Sequence, residues 1–133
     1  MTPALLDANV LIALSVEDHE HHRRARRWLG SSRPFATTPT TQGALARFLV
    51  RVATADHALA ALQMLQRNDR HHFWHDDRAF DFDVLRGVYS HRQVTDVYLA
   101  AIAADHQSVL ATFDRAIAAL RPRDVELIKD SSR

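Results

Sequence analysis

The stretch Leu5-Leu6-Asp7-Ala8-Asn9-Val10-Leu11-Ile12-Ala13-Leu14 is the most apolar run near the N-terminus, and it holds one carboxylate. Leu5 and Leu6 read as a buried strand, and Val10 to Leu14 as the apolar helix that follows it. A charged Asp is costly to bury in such a run unless it is paired or binds a cation. Asp7 therefore has two readings. It is a turn or cap residue, since Asp-Ala-Asn can end a strand and start a helix. Or it is a metal ligand at the carboxyl end of a first strand.

Working outward, Val16 to Leu29 reads as a helix, acidic near its start and rich in Arg near its end, as the helix dipole prefers. Gly30-Ser31-Ser32 stops it. His19 and His22 lie one turn apart, but without a third donor a solvated face is the better reading. Pro34 to Thr38 is a short strand. Pro39-Thr40-Thr41 starts a helix that continues from Gln42 to Val52. His57 to Gln66 is another helix. Asn68 to Asp77 reads as a polar loop around a short strand, His72-Phe73-Trp74, with Trp74 in the core. Phe82 to Arg86 is a short helix and Gly87 to Arg92 a loop. Thr95, as N-cap, opens a long apolar helix with Asp96 in its first turn. Asp105 points to the opposite side of that helix from Asp96 and stays outside any site. Ser108 to Phe113 is a buried strand ending at Asp114. Arg115 to Leu120 is a short helix broken by Pro122, and Val125 to Ile128 is a last strand. This alternation argues for an α/β fold with a parallel sheet.

Composition bounds the function. The 133 residues predict one domain, 1–133, with room for a core. Cysteine is absent, which excludes disulfides, a thiolate nucleophile and cysteine zinc sites. No apolar run approaches the ~20 residues of a membrane span, and no signal peptide is visible; the expected location is cytoplasmic. The net charge is +1, so bulk charge does not announce a nucleic-acid binder. Lys129 is the single lysine among 17 basic residues, and Glu17, Glu20 and Glu126 are the only glutamates among 16 acids. Arg suits bidentate phosphate contacts and Asp suits hard-metal ligation, although a coding bias explains the Arg excess equally well.

Asp7 and Asp114 each close an apolar strand at its carboxyl end, and Asp96 opens a helix. Open parallel sheets collect their sites at those ends, so three carboxylates from distant parts of the chain are placed on one edge. Brought together without a cation they would raise one another's pKa values; a divalent metal removes that conflict. Mg²⁺ takes oxygen ligands, keeps waters and favours phosphate substrates. The chemistry that fits is in-line attack on a phosphodiester by metal-activated water.

The blocks around Asp7, Thr95-Asp96-Val97-Tyr98-Leu99-Ala100-Ala101-Ile102-Ala103 and Leu110-Ala111-Thr112-Phe113-Asp114-Arg115 resemble the three acidic blocks of PIN-domain ribonucleases. More narrowly, the chain resembles VapC-type toxins of type II toxin–antitoxin pairs, from about Leu5 to Ile128. The resemblance implies a PIN-like three-layer α/β/α fold with a short central parallel sheet. It implies a Mg²⁺- or Mn²⁺-dependent endoribonuclease cutting single-stranded or loop RNA, a homodimer, and a cognate VapB-type antitoxin. That antitoxin would lay a helical or extended segment into an apolar groove between the N-terminal helices, with a basic residue reaching the acids. Carried over, Asp7 and Asp96 are the main metal ligands, and Asp114 completes the cluster directly or through water. Asn9 would hydrogen-bond within the site and orient Asp7. Thr112, two residues before Asp114, would point to the same face and support the site through its hydroxyl.

One departure stands out. Gln42 occupies the position where the family usually carries a Glu. A neutral carboxamide can orient a water or phosphate, but it is neither a carboxylate ligand nor a ready base, so one metal is expected rather than two. Arg47, further along that helix, could approach the phosphate or form an ion pair. Arg23, Arg26, Arg27, Arg47 and Arg51 are candidates to offset repulsion between the acids and RNA. The alternative reading is a catalytically weakened PIN-like module that binds RNA or protein. A haloacid-dehalogenase-type phosphatase fits less well, because Asn9 stands where its second acid is expected.

Overall fold

A computed structural model of the chain describes residues 1–130. Five three-residue strands form one all-parallel sheet in the order β3-β2-β1-β4-β5. They are β1 (Ala4–Leu6), β2 (Phe35–Thr37), β3 (His71–Phe73), β4 (Leu110–Thr112) and β5 (Val125–Leu127). Parallel neighbours need crossovers, and among the described residues seven helices supply them. These are α1 (Ala8–Ser15), α2 (His22–Leu29), α3 (Pro39–Val52), α4 (Ala55–Arg67), α5 (Phe82–Leu85), α6 (Val94–Asp105) and α7 (Arg115–Leu120).

Alternation along the strands divides the core into two halves. Leu5, Ala36, Leu110 and Val125 face Val97, Leu99 and Ile102 of α6 and Ile117 of α7. Ala4, Leu6, Phe35 and Ala111 face Val10 and Leu11 of α1, Leu29 of α2, and Leu45 and Leu49 of α3. The sheet is thus covered on both sides, as an all-parallel sheet must be, and the α/β/α expectation is met. Strand order reverses between β1 and β4, so the crevice at their carboxyl ends is where this architecture places ligands. Among the described residues no helix is long and apolar enough to cross a membrane.

Most predicted elements are present, with three corrections. The helix expected over Val16 to Leu29 begins only at His22. Val16 is extended (φ −118°, ψ 107°) and ends α1, and the polar segment after it forms turns. Thr95 is not an N-cap: α6 starts at Val94, with a single 3₁₀ turn (His91–Gln93) leading into it and Gln93 in the capping position. The strand expected over His72 to Trp74 is shifted to His71–Phe73. Trp74 is buried as predicted, stacked on His106 with ring centroids 3.8 Å apart.

The α3 start shows why its sequence is decisive. Thr38 and Thr41 form a reciprocal capping box, with Pro39 in the first turn. The proline surrenders a donor that would be unpaired anyway, and the two threonines satisfy two more.

Candidate active site

Asp7 follows β1 directly. It occupies the capping position of α1 but makes no side-chain cap bond. Its carboxylate is turned sideways across the crevice, where the Thr112 hydroxyl donates to Oδ2 at 2.6 Å. Asp7 and Thr112 are 5% and 0% exposed. Burial pushes the Asp7 carboxyl above the usual carboxylate range; the Thr112 hydroxyl and the Ala8 and Asn9 backbone amides oppose that rise. Thr112 also accepts the Asp114 amide at 3.0 Å. One hydroxyl therefore ties the end of β1 to the end of β4, at the point where strand order reverses.

Asp114 caps α7: its Oδ1 accepts the amides of Ala116 at 2.8 Å and Ile117 at 3.2 Å. Asp96 stands in the first turn of α6. Burial, then Asp7, then Asp114 push its carboxyl up to about 7. Three carboxylates from three segments are thus close enough to feel one another's charge. Among the described residues no three His, Asp or Glu side chains are gathered tightly enough to hold a metal ion by themselves. The donor set nevertheless suits a small hard cation that binds one or two carboxylates and completes its shell with water. Such an ion would relieve the repulsion that the Asp96 shift records.

The other sequence candidates fare differently. Asn9 is exposed, and its side chain makes no hydrogen bond to Asp7; orientation comes from Thr112, and Asn9 contributes its backbone amide. Gln42 donates Nε2 to the Thr37 hydroxyl at 3.1 Å, and that hydroxyl meets His71 Nε2 at 2.6 Å. Thr37, two residues after Phe35, shares its face of the sheet, opposite that of Leu110 and Thr112. The Gln42 amide is thus engaged at the end of β2, the strand beside β1. Burial lowers the pKa of His71, consistent with a neutral ring accepting the Thr37 hydroxyl. Arg47 is exposed and forms no ion pair among the described residues. Asp105 stays outside the site as expected and pairs with Arg78 at 2.8 Å. His19 and His22 do not share the solvated helix face expected of them: α2 begins at His22, and both are half-buried, His22 Nδ1 meeting the Ala13 carbonyl and His19 Nδ1 accepting the His21 amide.

Arg24 reads only as one of the arginines near the end of its helix, and the sequence does not single it out. Its guanidinium lies 4.7 Å from the centre of the Phe113 ring, one residue before Asp114, and donates to the Ile128 carbonyl. Nothing in the local sequence distinguishes it; its partners lie on β4 and beyond β5.

The raised Asp96 pKa predicts an unusual pH dependence of the metal-free protein. Between 3.8 and about 7 the folded chain holds a proton that the unfolded chain has released. Stability then falls as pH rises through that window. After allowance for solvent screening, the loss from Asp96 is on the order of 1–2 kcal/mol. Thermal melts in chelator should show a lower Tm at about pH 8 than at about pH 5, and Asp96→Asn should flatten the difference. An equal slope in that variant would refute the assignment.

The model of the PIN domain family matches residues 4–121. The chain is 50% identical over 118 residues to ribonuclease VapC29 of Mycobacterium tuberculosis, covering 87% of this chain and 89% of that protein. It is 41% identical over 129 residues to ribonuclease VapC39 of the same organism, covering 86% and 91%. The crystal structure of Mycobacterium tuberculosis VapC20, a sarcin-ricin loop cleaving toxin, superposes with a TM-score of 0.65 at 17% identity, covering 88% of this chain and 94% of that one. VapBC2 from Rickettsia felis, bound to a DNA fragment from its promoter, superposes with a TM-score of 0.68 at 12% identity, covering 95% and 98%. At such identities the structural likeness speaks for the fold alone.

Proposed function

We propose, from the premise that the chain belongs to the PIN-domain family and within it to the VapC ribonucleases, that its acidic crevice hydrolyses RNA as the toxin of a type II toxin–antitoxin pair. The observation that carries the site assignment is the convergence of Asp7, Asp96 and Asp114 where strand order reverses. A Mg²⁺ or Mn²⁺ ion held by Asp7 and Asp96, with Asp114 reached directly or through water, would supply an activated water and neutralise charge developing on the phosphodiester. Thr112 holds Asp7 in one orientation before substrate arrives, so no reorganisation is needed at the reaction. The substrate class is single-stranded or loop RNA, such as tRNA, rRNA or mRNA, whose unpaired bases can be splayed into a crevice. Cleavage leaves 5′-phosphate and 3′-hydroxyl ends.

A groove of about 440 Å³ between α1, α2 and α4 supports the antitoxin reading: Leu11, Leu14 and Met64 line it beside Glu17, Arg26 and Arg70. Met64 is 73% exposed, and this mix of apolar and charged side chains suits an amphipathic segment of a VapB-type partner. The homodimer that the family relation implies is open to light scattering.

The purified chain should cut single-stranded RNA only with added Mg²⁺ or Mn²⁺, and a chelator should stop it. RNA that is bound but never cut with either ion present would instead favour the weakened binding module, to which the neutral Gln42 gives weight.

A further inference from the structure

We propose that the loop 87–92, at the amino end of α6, is a base-stacking element of the RNA site, with Tyr89 as the platform and His91 and Arg92 as phosphate contacts; this rests on the ribonuclease reading above. Tyr89 is 80% exposed, so its ring adds little to the core. Yet the backbone around it is held at every step. The buried Arg121 guanidinium donates to the carbonyls of Val84 at 3.1 Å and Arg86 at 2.6 Å. Gly87 turns the chain at φ +75°, and a Cβ there would meet Leu120 Cδ1 at 3.1 Å. Val88 packs into the core. The Tyr89 amide donates to Gln93 Oε1 at 3.1 Å, and Ser90 Oγ accepts the Arg92 amide at 3.2 Å. A loop so fixed, with its one exposed phenol ring outward, is a rigid mount for base stacking.

Its position follows from Gln93. That buried side chain lies one turn before Asp96 on the same flank of α6, where residues three apart are neighbours about 5–6 Å apart at Cβ. The loop is therefore tied to the flank that carries a site carboxylate. His91 and Arg92 are exposed and form no ion pair among the described residues. An aromatic ring beside an Arg and an imidazole that can hydrogen-bond phosphate is the pattern that takes up unpaired bases and their phosphates. Beside a crevice of three acids, the Arg92 charge also offsets the repulsion of the incoming backbone.

Binding is read by anisotropy without divalent ion, comparing labelled oligouridine with an abasic oligomer of equal length; cleavage is read separately with Mn²⁺. The wild-type chain should prefer oligouridine by about tenfold, the scale of one stacked base. Tyr89→Ala should lose most of that preference and Tyr89→Trp should keep it. In the cleavage assay, Tyr89→Ala should raise KM about tenfold with a smaller effect on kcat. Preference retained in Tyr89→Ala overturns the inference. So does light scattering that shows this variant converting a dimer to a monomer, which would make the ring a contact between copies. Failure of the wild-type chain to cleave, with the base preference intact and dependent on Tyr89, would sink the nuclease reading and leave the stacking element standing.

Discussion

Asp7→Asn should lower RNA cleavage by at least ~10³-fold, the scale expected when metal-assisted charge stabilisation worth several kcal/mol is lost. The change is nearly isosteric, and the Asn carboxamide oxygen can still accept the Thr112 hydroxyl. What disappears is a negative charge in a position that burial already makes costly. The variant should fold, with a metal-free Tm at or above that of the wild-type chain, because the unfavourable buried charge is gone. The Tm rise produced by Mn²⁺ should vanish with it. Loss of activity without loss of stability separates a ligand from a core residue. Gln42 strengthens the expectation: with a neutral side chain turned toward Thr37, no glutamate stands by to share the load. A variant keeping more than about a tenth of the wild-type rate would remove Asp7 from the chemistry.

Thr112→Val should cost both stability and activity, from one hydroxyl. Thr112 is fully buried, donates to Asp7 Oδ2 and accepts the Asp114 amide. Valine fills the same space but leaves a carboxylate oxygen and an amide unpartnered, at about 1–3 kcal/mol each. Partial relaxation at the open edge of the crevice makes roughly 2–4 kcal/mol the expected total. With Asp7 unheld, divalent affinity and cleavage rate should fall about 10–100-fold, the usual scale for removing a group that orients a ligand. The hydroxyl also holds the Asp7 pKa down, so its loss should move the acid limb of the pH–rate profile upward. Thr112→Ser keeps the hydroxyl and should recover most of the rate. If Val and Ser variants behave alike in divalent titration and in the pH profile, Thr112 is merely a packing residue.

Where the site could be read from the chain, the reason was local chemistry. A carboxylate in an apolar run, as at Asp7, has few inexpensive explanations. Asp114 after Leu110-Ala111-Thr112-Phe113 repeats that signal, and strand alternation put Thr112 on the face of Asp114, two residues away. Asp96 was legible because acids favour the first turn of a helix, even though the cap was assigned to the wrong residue. Where the reading failed, the deciding contact was long-range. The family resemblance gave Asn9 the orienting role, but the hydroxyl that holds Asp7 comes from β4, far along the chain. Gln42 looked like a site residue by position, yet the Thr37–His71 pair on β2 and β3 takes its amide. Arg24 differs from Arg23 only in reaching Phe113 and Ile128.

The sequence by itself determined the alternation of strands and helices and the three acids, because each rests on periodicity or on the cost of burying charge. Tertiary structure alone decided which groups meet. Strand order put β1 beside β4, and only that neighbourhood lets one threonine hold one acid by its carboxylate and another by its backbone amide. It also gave the Asp96 carboxyl its raised pKa, since burial and two like charges act through space and not along the chain.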